Sequence, residues 1–171
     1  MRWADEVGVQ PALADGTYAP GGPVGRGALA GVLHRFAGAP EVTVDSAPTL
    51  VADLGEDPDH AGALLWLHGR GALWCDQRLR LRPGDETTRD EAAATLTALL
   101  RPALAGIGST WDPAGAPEAP GSSPDVQWLT AAGLVPASVT TTESPGDAPL
   151  TRSELAAALH RANSVITERL A

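Results

Sequence analysis

Three arginines occupy the same place in three similar stretches of the chain, and they are the side chains best suited to chemistry. Arg26, Arg89 and Arg152 each lie at or beside the first residue of a predicted helix. A helix N-terminus carries partial positive charge, so a repeated cation there needs a reason. Each guanidinium could reach a carbonyl or carboxylate of the adjoining stretch and fix their docking. Alternatively, the guanidinium and free helix N–H groups could bind an anion or a hydroxyl-rich ligand. The physics alone favours docking.

The arginines belong to an internal repeat, and repeats of about sixty residues each form one supersecondary unit. Each copy begins with a tryptophan that we predict to be a core residue, followed by a glycine that we predict to end a helix. A proline and the arginine complete the pattern, at spacings that agree to within one residue. The residues are Trp3, Gly8, Pro20 and Arg26 in copy one, Trp66, Gly71, Pro83 and Arg89 in copy two, and Trp128, Gly133, Pro145 and Arg152 in copy three.

The elements that position the arginines are predicted to be a helix, a loop and a second helix in each copy, which makes the chain mainly α. Thr88 and Glu91 form a capping box at the start of the second helix of copy two, and Thr151 and Glu154 do so in copy three. Copy one has neither capping side chain in Gly25–Ala28. We assign copy one to residues 1–38, copy two to 50–104 and copy three to 110–171, all within one domain, 1–171.

Composition excludes several classes of partner. The chain has 171 residues, a formal net charge of -9 and no lysine. Nucleic-acid binding and attachment to anionic membranes both need basic patches, so we expect neither. The first residues lack the apolar segment of a signal peptide, and no apolar stretch is long enough to span a bilayer. We therefore expect no membrane insertion and no export signal in this chain.

The residue patterns of catalysis are not found in the sequence. There is no phosphate-binding lysine loop and no nucleophile elbow. His60 and His68 lack further ligands at metal-binding spacing. His34 and His160 occupy equivalent positions, which indicates a shared packing or surface role. We therefore expect a protein that is not an enzyme and that has no metal or cofactor.

Further motifs complete the pattern. Copy two starts with the segment Val51–Leu54, copy one contains the loop Asp15–Pro20, and Thr-Arg-x-Glu sequences span 88–91 and 151–154. In combination with the Trp and Gly of each copy, these motifs resemble the S-layer homology family over nearly the whole chain. Modules of that family read as an entry segment, a helix with Trp near Gly, a D-G-x-F-x-P loop and a T-R-A-E helix start.

The resemblance implies both a fold and a function. Three repeats would form a pseudo-threefold, three-pronged spindle with ligand grooves between the prongs. Family members anchor exported proteins to cell-wall polysaccharide, typically a glycan with an acidic pyruvyl ketal, and the T-R-A-E arginine is a principal contact. This favours binding over docking for the arginines. The implied glycan-binding residues are Arg26, Arg89, Arg152, Thr88, Thr151, Glu91 and Glu154.

Two functions are consistent with these patterns. The first is a binding module at the cell surface that docks on an anionic wall polysaccharide, which the arginine pattern favours. The second is a structural component of a phage virion or a related particle, which uses the fold for assembly or host-surface attachment and contacts other subunits. The missing signal peptide and the short first copy, which begins just before Trp3, favour the second.

Overall fold

The computed structural model describes residues 2–43, 50–112, 123–134 and 146–171. Within these ranges the chain is helical and contains no strand, which confirms the predicted mainly α class. A 3-10 turn spans Leu54–Glu56, and no helix in the described ranges is long and apolar enough to cross a membrane. The helices are α1 (Arg2–Glu6), α2 (Arg26–Phe36), α3 (Ala61–Gly69), α4 (Arg89–Gly106), α5 (Pro124–Ala131) and α6 (Arg152–Leu170).

Side-chain caps determine where α4 and α6 begin. The Thr88 hydroxyl accepts a hydrogen bond from the Glu91 N–H at 3.2 Å, and the Glu91 carboxylate accepts one from the Thr88 N–H at 3.0 Å. Thr151 and Glu154 form the same reciprocal pair at α6. Both predicted capping boxes are confirmed. Helix α2 starts without a side-chain cap because Gly25 has no side chain to supply it.

The first helix of each copy packs against the second helix of another copy. Helix α3 contacts α2, α5 contacts α4, and α1 contacts α6, so the two ends of the chain meet. A tryptophan lies at each contact. The rings of Trp3 and His160 pack edge to face with their centroids 5.1 Å apart, and those of Trp66 and His34 do so at 5.4 Å. Trp128 lies under the guanidinium of Arg101 at 5.9 Å. Trp66 and Trp128 are buried and Trp3 is partly buried.

The core between the helices consists mainly of leucine and alanine. Leu33, Leu96 and Leu159 occupy equivalent turns of α2, α4 and α6, and all three are buried. Burial of a leucine side chain stabilises a fold by roughly 1.5–3 kcal/mol relative to its exposure. First helices contribute to the same core, since Leu64 and Leu67 of α3 and Leu129 of α5 are also buried.

Three segments that precede the second helices hydrogen-bond to one another in a closed ring. The Val24 N–H donates to the Leu150 carbonyl at 2.9 Å, the Leu150 N–H to the Thr87 carbonyl at 2.8 Å, and the Thr87 N–H to the Val24 carbonyl at 2.8 Å. The side chains of the three residues are buried. Each copy's second helix thus starts from a backbone segment that the other two copies hold in place.

Glycines end the first helices. Gly8, Gly71 and Gly133 follow α1, α3 and α5 with φ of 70°, 66° and 68°. This left-handed region favours glycine, because a Cβ atom there crowds the following carbonyl. The chain can therefore turn from each first helix into its loop at the same point. Pro145, which the sequence aligns with Pro20 and Pro83, lies outside the described residues.

Candidate functional site

Arg26 connects copy one to copy two. Its guanidinium forms an ion pair with Glu91, the residue that closes the capping box of α4, and donates a second hydrogen bond to the Leu81 carbonyl at 3.1 Å. The side chain of Arg26 is mostly buried, whereas that of Glu91 keeps 41% of its surface exposed. One glutamate therefore caps its own helix and binds the arginine of the neighbouring copy.

Arg89 makes the equivalent connection from copy two to copy three. Its Nε donates to one carboxylate oxygen of Glu154 at 2.9 Å, and its terminal nitrogen Nη2 lies 2.8 Å from the same oxygen as an ion pair. Each side chain of this pair is only 18% exposed. A charge-assisted pair that solvent screens so little contributes more than a surface ion pair.

Arg152 points to copy one, where the position equivalent to Glu91 is Ala28. Its Nε donates to the Tyr18 carbonyl at 2.8 Å, and a terminal nitrogen donates to the Pro11 carbonyl at 2.7 Å. The guanidinium also lies 4.8 Å from the centre of the Tyr18 ring. All three arginines thus contact the adjoining copy, which is the geometry of the docking interpretation.

The helix N–H groups that an anion would need are bonded within the chain. The first two N–H groups of each second helix donate to carbonyls of a neighbouring copy, at 2.9 to 3.0 Å. These N–H groups are therefore not free for a bound anion. The donor–acceptor pairs are Arg26 with Asp85, Gly27 with Pro83, Arg89 with Ala148, Asp90 with Gly146, Arg152 with Gly22, and Ser153 with Pro20.

The two bridging glutamates are stabilised in their charged form. Burial acts to raise the pKa of Glu91, but hydrogen bonds from the Thr88 N–H and from Arg26 outweigh it, so that this pKa lies below 4.5. The pKa of Glu154 is lowered in the same way, since bonds from Thr151 and Arg89 outweigh burial. Both carboxylates therefore remain ionised down to moderately acidic pH.

This arrangement predicts a loss of stability in acid. Because the folded-state pKa of Glu154 lies below its unfolded value, its contribution is fully present above about pH 4.5 and is lost as the pH falls through the folded-state value. We expect Glu154→Gln to lower the free energy of unfolding at pH 7. The same variant should lose less stability than the wild type between about pH 5 and pH 3.

Urea denaturation at each pH measures the effect, and Glu168→Gln, which changes an exposed residue of α6, is the control. If the free energy of unfolding fell equally between about pH 5 and pH 3 in wild type and Glu154→Gln, the prediction would be contradicted.

A groove of about 420 Å³ lies beside the Arg26–Glu91 pair. All three copies contribute to it: Arg26 from the start of α2, Trp74 from the loop after α3, Thr87 from the segment before α4, Glu91 from the first turn of α4, and Asp125 from α5. The Trp74 side chain is 53% exposed. An exposed tryptophan in a mainly apolar groove with a few polar side chains is typical of a ligand site.

The structure brings only part of the predicted glycan-binding set into this groove. Arg26 and Glu91 line it. Arg89 and Glu154 lie at the second junction between copies, where Thr151 caps α6, and Arg152 lies at the third. Thr88 contributes its hydroxyl to the cap of α4. The sequence pattern did not predict Trp74 as a groove residue, because Trp74 is not part of the repeat. Its position outside the repeat was the one feature of the sequence that set it apart.

Within the described ranges, three or more metal-ligating side chains do not converge at any point. Comparison of the sequence with family models gave no match, and the search of curated proteins gave none.

Proposed function

We propose that this chain is a non-enzymatic module, similar to S-layer homology domains, that binds a cell-surface polysaccharide in the groove between its copies. The observation that carries the proposal is the groove itself, where an exposed Trp74 faces solvent beside the Arg26–Glu91 pair. A partly exposed aromatic ring with a few convergent polar groups is the usual form of a saccharide-sized site. In this proposal the protein acts at a cell surface.

The proposal includes a pseudo-threefold arrangement of the three copies. The closed ring of Val24, Thr87 and Leu150 supports it, since equivalent residues donate to equivalent acceptors in turn. The packing of α1 on α6 supports it as well, because it closes the series of contacts that α2 with α3 and α4 with α5 begin. A ring of this kind holds the three parts of the groove in fixed positions.

The second candidate function is a structural component of a virion or related particle. The arginine geometry favours it, because Arg89 and Glu154 are bound to each other and hold copies together. A degenerate module of this fold would then serve as a rigid building block that contacts other subunits. In this case the native protein would sediment with a large particle.

The test is cosedimentation of the purified chain with insoluble bacterial cell walls. We expect the chain to sediment with walls that carry their polysaccharide and to stay in solution with walls from which it has been extracted. Trp74→Ala should sediment at least about tenfold less well, as expected for the loss of an aromatic anchor. Equal recovery from both wall preparations, or recovery from neither, would contradict binding and leave the particle component as the better function.

A further inference from the structure

The groove contains more negative than positive charge. Asp90, Glu91 and Asp125 contribute three carboxylates to its lining, and Arg26 contributes one guanidinium. That guanidinium is already paired with Glu91. An acidic substituent on a ligand would therefore face Asp90 and Asp125, which form no ion pair within the described residues, and a guanidinium that is already paired.

One polar group in the groove has no partner. Thr87 lines the groove, is only 1% exposed, and its hydroxyl makes no hydrogen bond within the part of the chain that the structure describes. Buried hydroxyls are normally bonded, because an unpaired one loses its interaction with water without replacement. The positions equivalent to Thr87 in the ring are Val24 and Leu150, so the hydroxyl is not needed for the fold.

We infer that the groove selects a neutral, hydroxyl-rich sugar unit that stacks on Trp74, and that it discriminates against acidic glycans. This inference rests on the proposed function and specifies its ligand. The carbon-bearing face of a sugar ring matches the exposed indole, the carboxylates of Asp90 and Asp125 are acceptors for sugar hydroxyls, and the Thr87 hydroxyl gains a partner. The expected specificity is thus the opposite of the acidic ketal that the family resemblance implies.

A basic peptide is the competing occupant, since it would match the net charge. It suits the groove less well, because lysine and arginine side chains only donate hydrogen bonds and offer no ring whose carbon-bearing face matches the Trp74 indole. A sugar supplies donors and acceptors together, which suits a lining that mixes carboxylates, hydroxyls and a guanidinium. We therefore commit to the saccharide.

The experiment measures binding of the full chain to two forms of one bacterial wall polysaccharide. One form is native, and in the other the carboxyl groups have been reduced to alcohols. We expect the reduced form to bind more tightly than the native form, and equal binding of the two would contradict discrimination against acidic glycans. Trp74→Ala should weaken both about tenfold, which corresponds to ~1.4 kcal/mol. Leu50→Ala, which changes an apolar residue that is 78% exposed and outside the groove lining, is the matched control and should bind as the wild type does.

Thr87→Val supplies a second test that does not depend on Trp74. It removes the hydroxyl at nearly constant volume, so we expect an unchanged or higher Tm and severalfold weaker binding. A purely structural role for Thr87 would instead leave binding per folded molecule unchanged, and that result would count against the inference. This opposite movement of stability and affinity distinguishes a ligand partner from a packing residue.

The outcomes separate the inference from the function on which it rests. Tight binding of the native form that is lost on reduction would overturn the neutral ligand but retain a polysaccharide-binding protein. Unchanged binding by Trp74→Ala would move the site out of this groove. Direct binding of oligolysine that Trp74→Ala weakens, with no binding of either polysaccharide, would assign the groove to a basic peptide. Failure to bind either polysaccharide would reject the proposed function itself.

Discussion

Isolated residues 1–104 are expected to show no cooperative unfolding transition. Removal of the rest of the chain takes away α6, on which α1 packs, and with it the His160 ring that Trp3 contacts. It also removes Leu150, which takes part in two of the three hydrogen bonds of the backbone ring. Copies that bury their apolar faces only against one another do not fold separately.

Thermal melts followed by circular dichroism check this expectation, with amide hydrogen exchange as a second measurement. A chain that lacks only the exposed terminal residues Leu170 and Ala171 is the control and should melt as the full chain does. A cooperative melt of residues 1–104 with protected amides in α2 and α4 would contradict the account.

The second large effect is expected at Arg89. Arg89→Ala leaves Glu154 ionised and only 18% exposed without its charged partner. Removal of one partner of a buried charge pair costs about 3–5 kcal/mol, and because this pair retains some solvent we expect about 2–3 kcal/mol. Urea denaturation at pH 7 measures the loss of stability.

Arg152→Ala is the matched control within the same molecule. Within the described ranges its recorded partners are two carbonyls and the Tyr18 ring, so its removal strands no carboxylate. We expect a loss of about 1 kcal/mol there. Arg26→Ala should fall between the two, because Glu91 is more exposed to water than Glu154. Equal losses of unfolding free energy in all three Arg→Ala variants would show that the loss does not depend on whether a glutamate is left unpaired.

Features that depend on neighbouring residues could be predicted from the sequence. The capping boxes at Thr88 and Thr151 fix helix starts through contacts three residues apart, so they can be recognised without a fold. The helical class followed from these boxes and from the repeated spacing of tryptophan and glycine. Local chemistry of this kind does not depend on which copies meet.

The partners of the arginines could not be predicted in the same way. Arg89 and Glu154 are 65 residues apart, and only the closed packing of the copies brings them together. The sequence left docking and ligand binding open, because an arginine at a helix start suits both. Glu154 caps α6 with one carboxylate oxygen, and the other oxygen is the one that Arg89 binds. Whether an arginine reaches that second oxygen depends on the tertiary structure.

The groove was predictable only in part, for two physical reasons. Trp74 carries no repeat signal, since copies one and three have no tryptophan at the equivalent position, and its exposure is set by the loop after α3.

The third copy also has one more residue between its glycine and its arginine. The sequence pattern therefore aligned Pro145 with Pro20 and Pro83, whereas the equivalent acceptor is Gly146.

A double-mutant cycle on Arg89 and Glu154 tests most directly the central claim that the arginines of copies one and two bind the capping glutamate of the following copy. Free energies of unfolding are measured for wild type, Arg89→Ala, Glu154→Gln and the double variant, so that the lost cap cancels. A cycle on Arg152 and Glu91, which lie at different junctions, is the reference. We predict a coupling energy of about 2 kcal/mol for the first cycle and near zero for the reference. A coupling below about 0.5 kcal/mol between Arg89 and Glu154 would contradict the account.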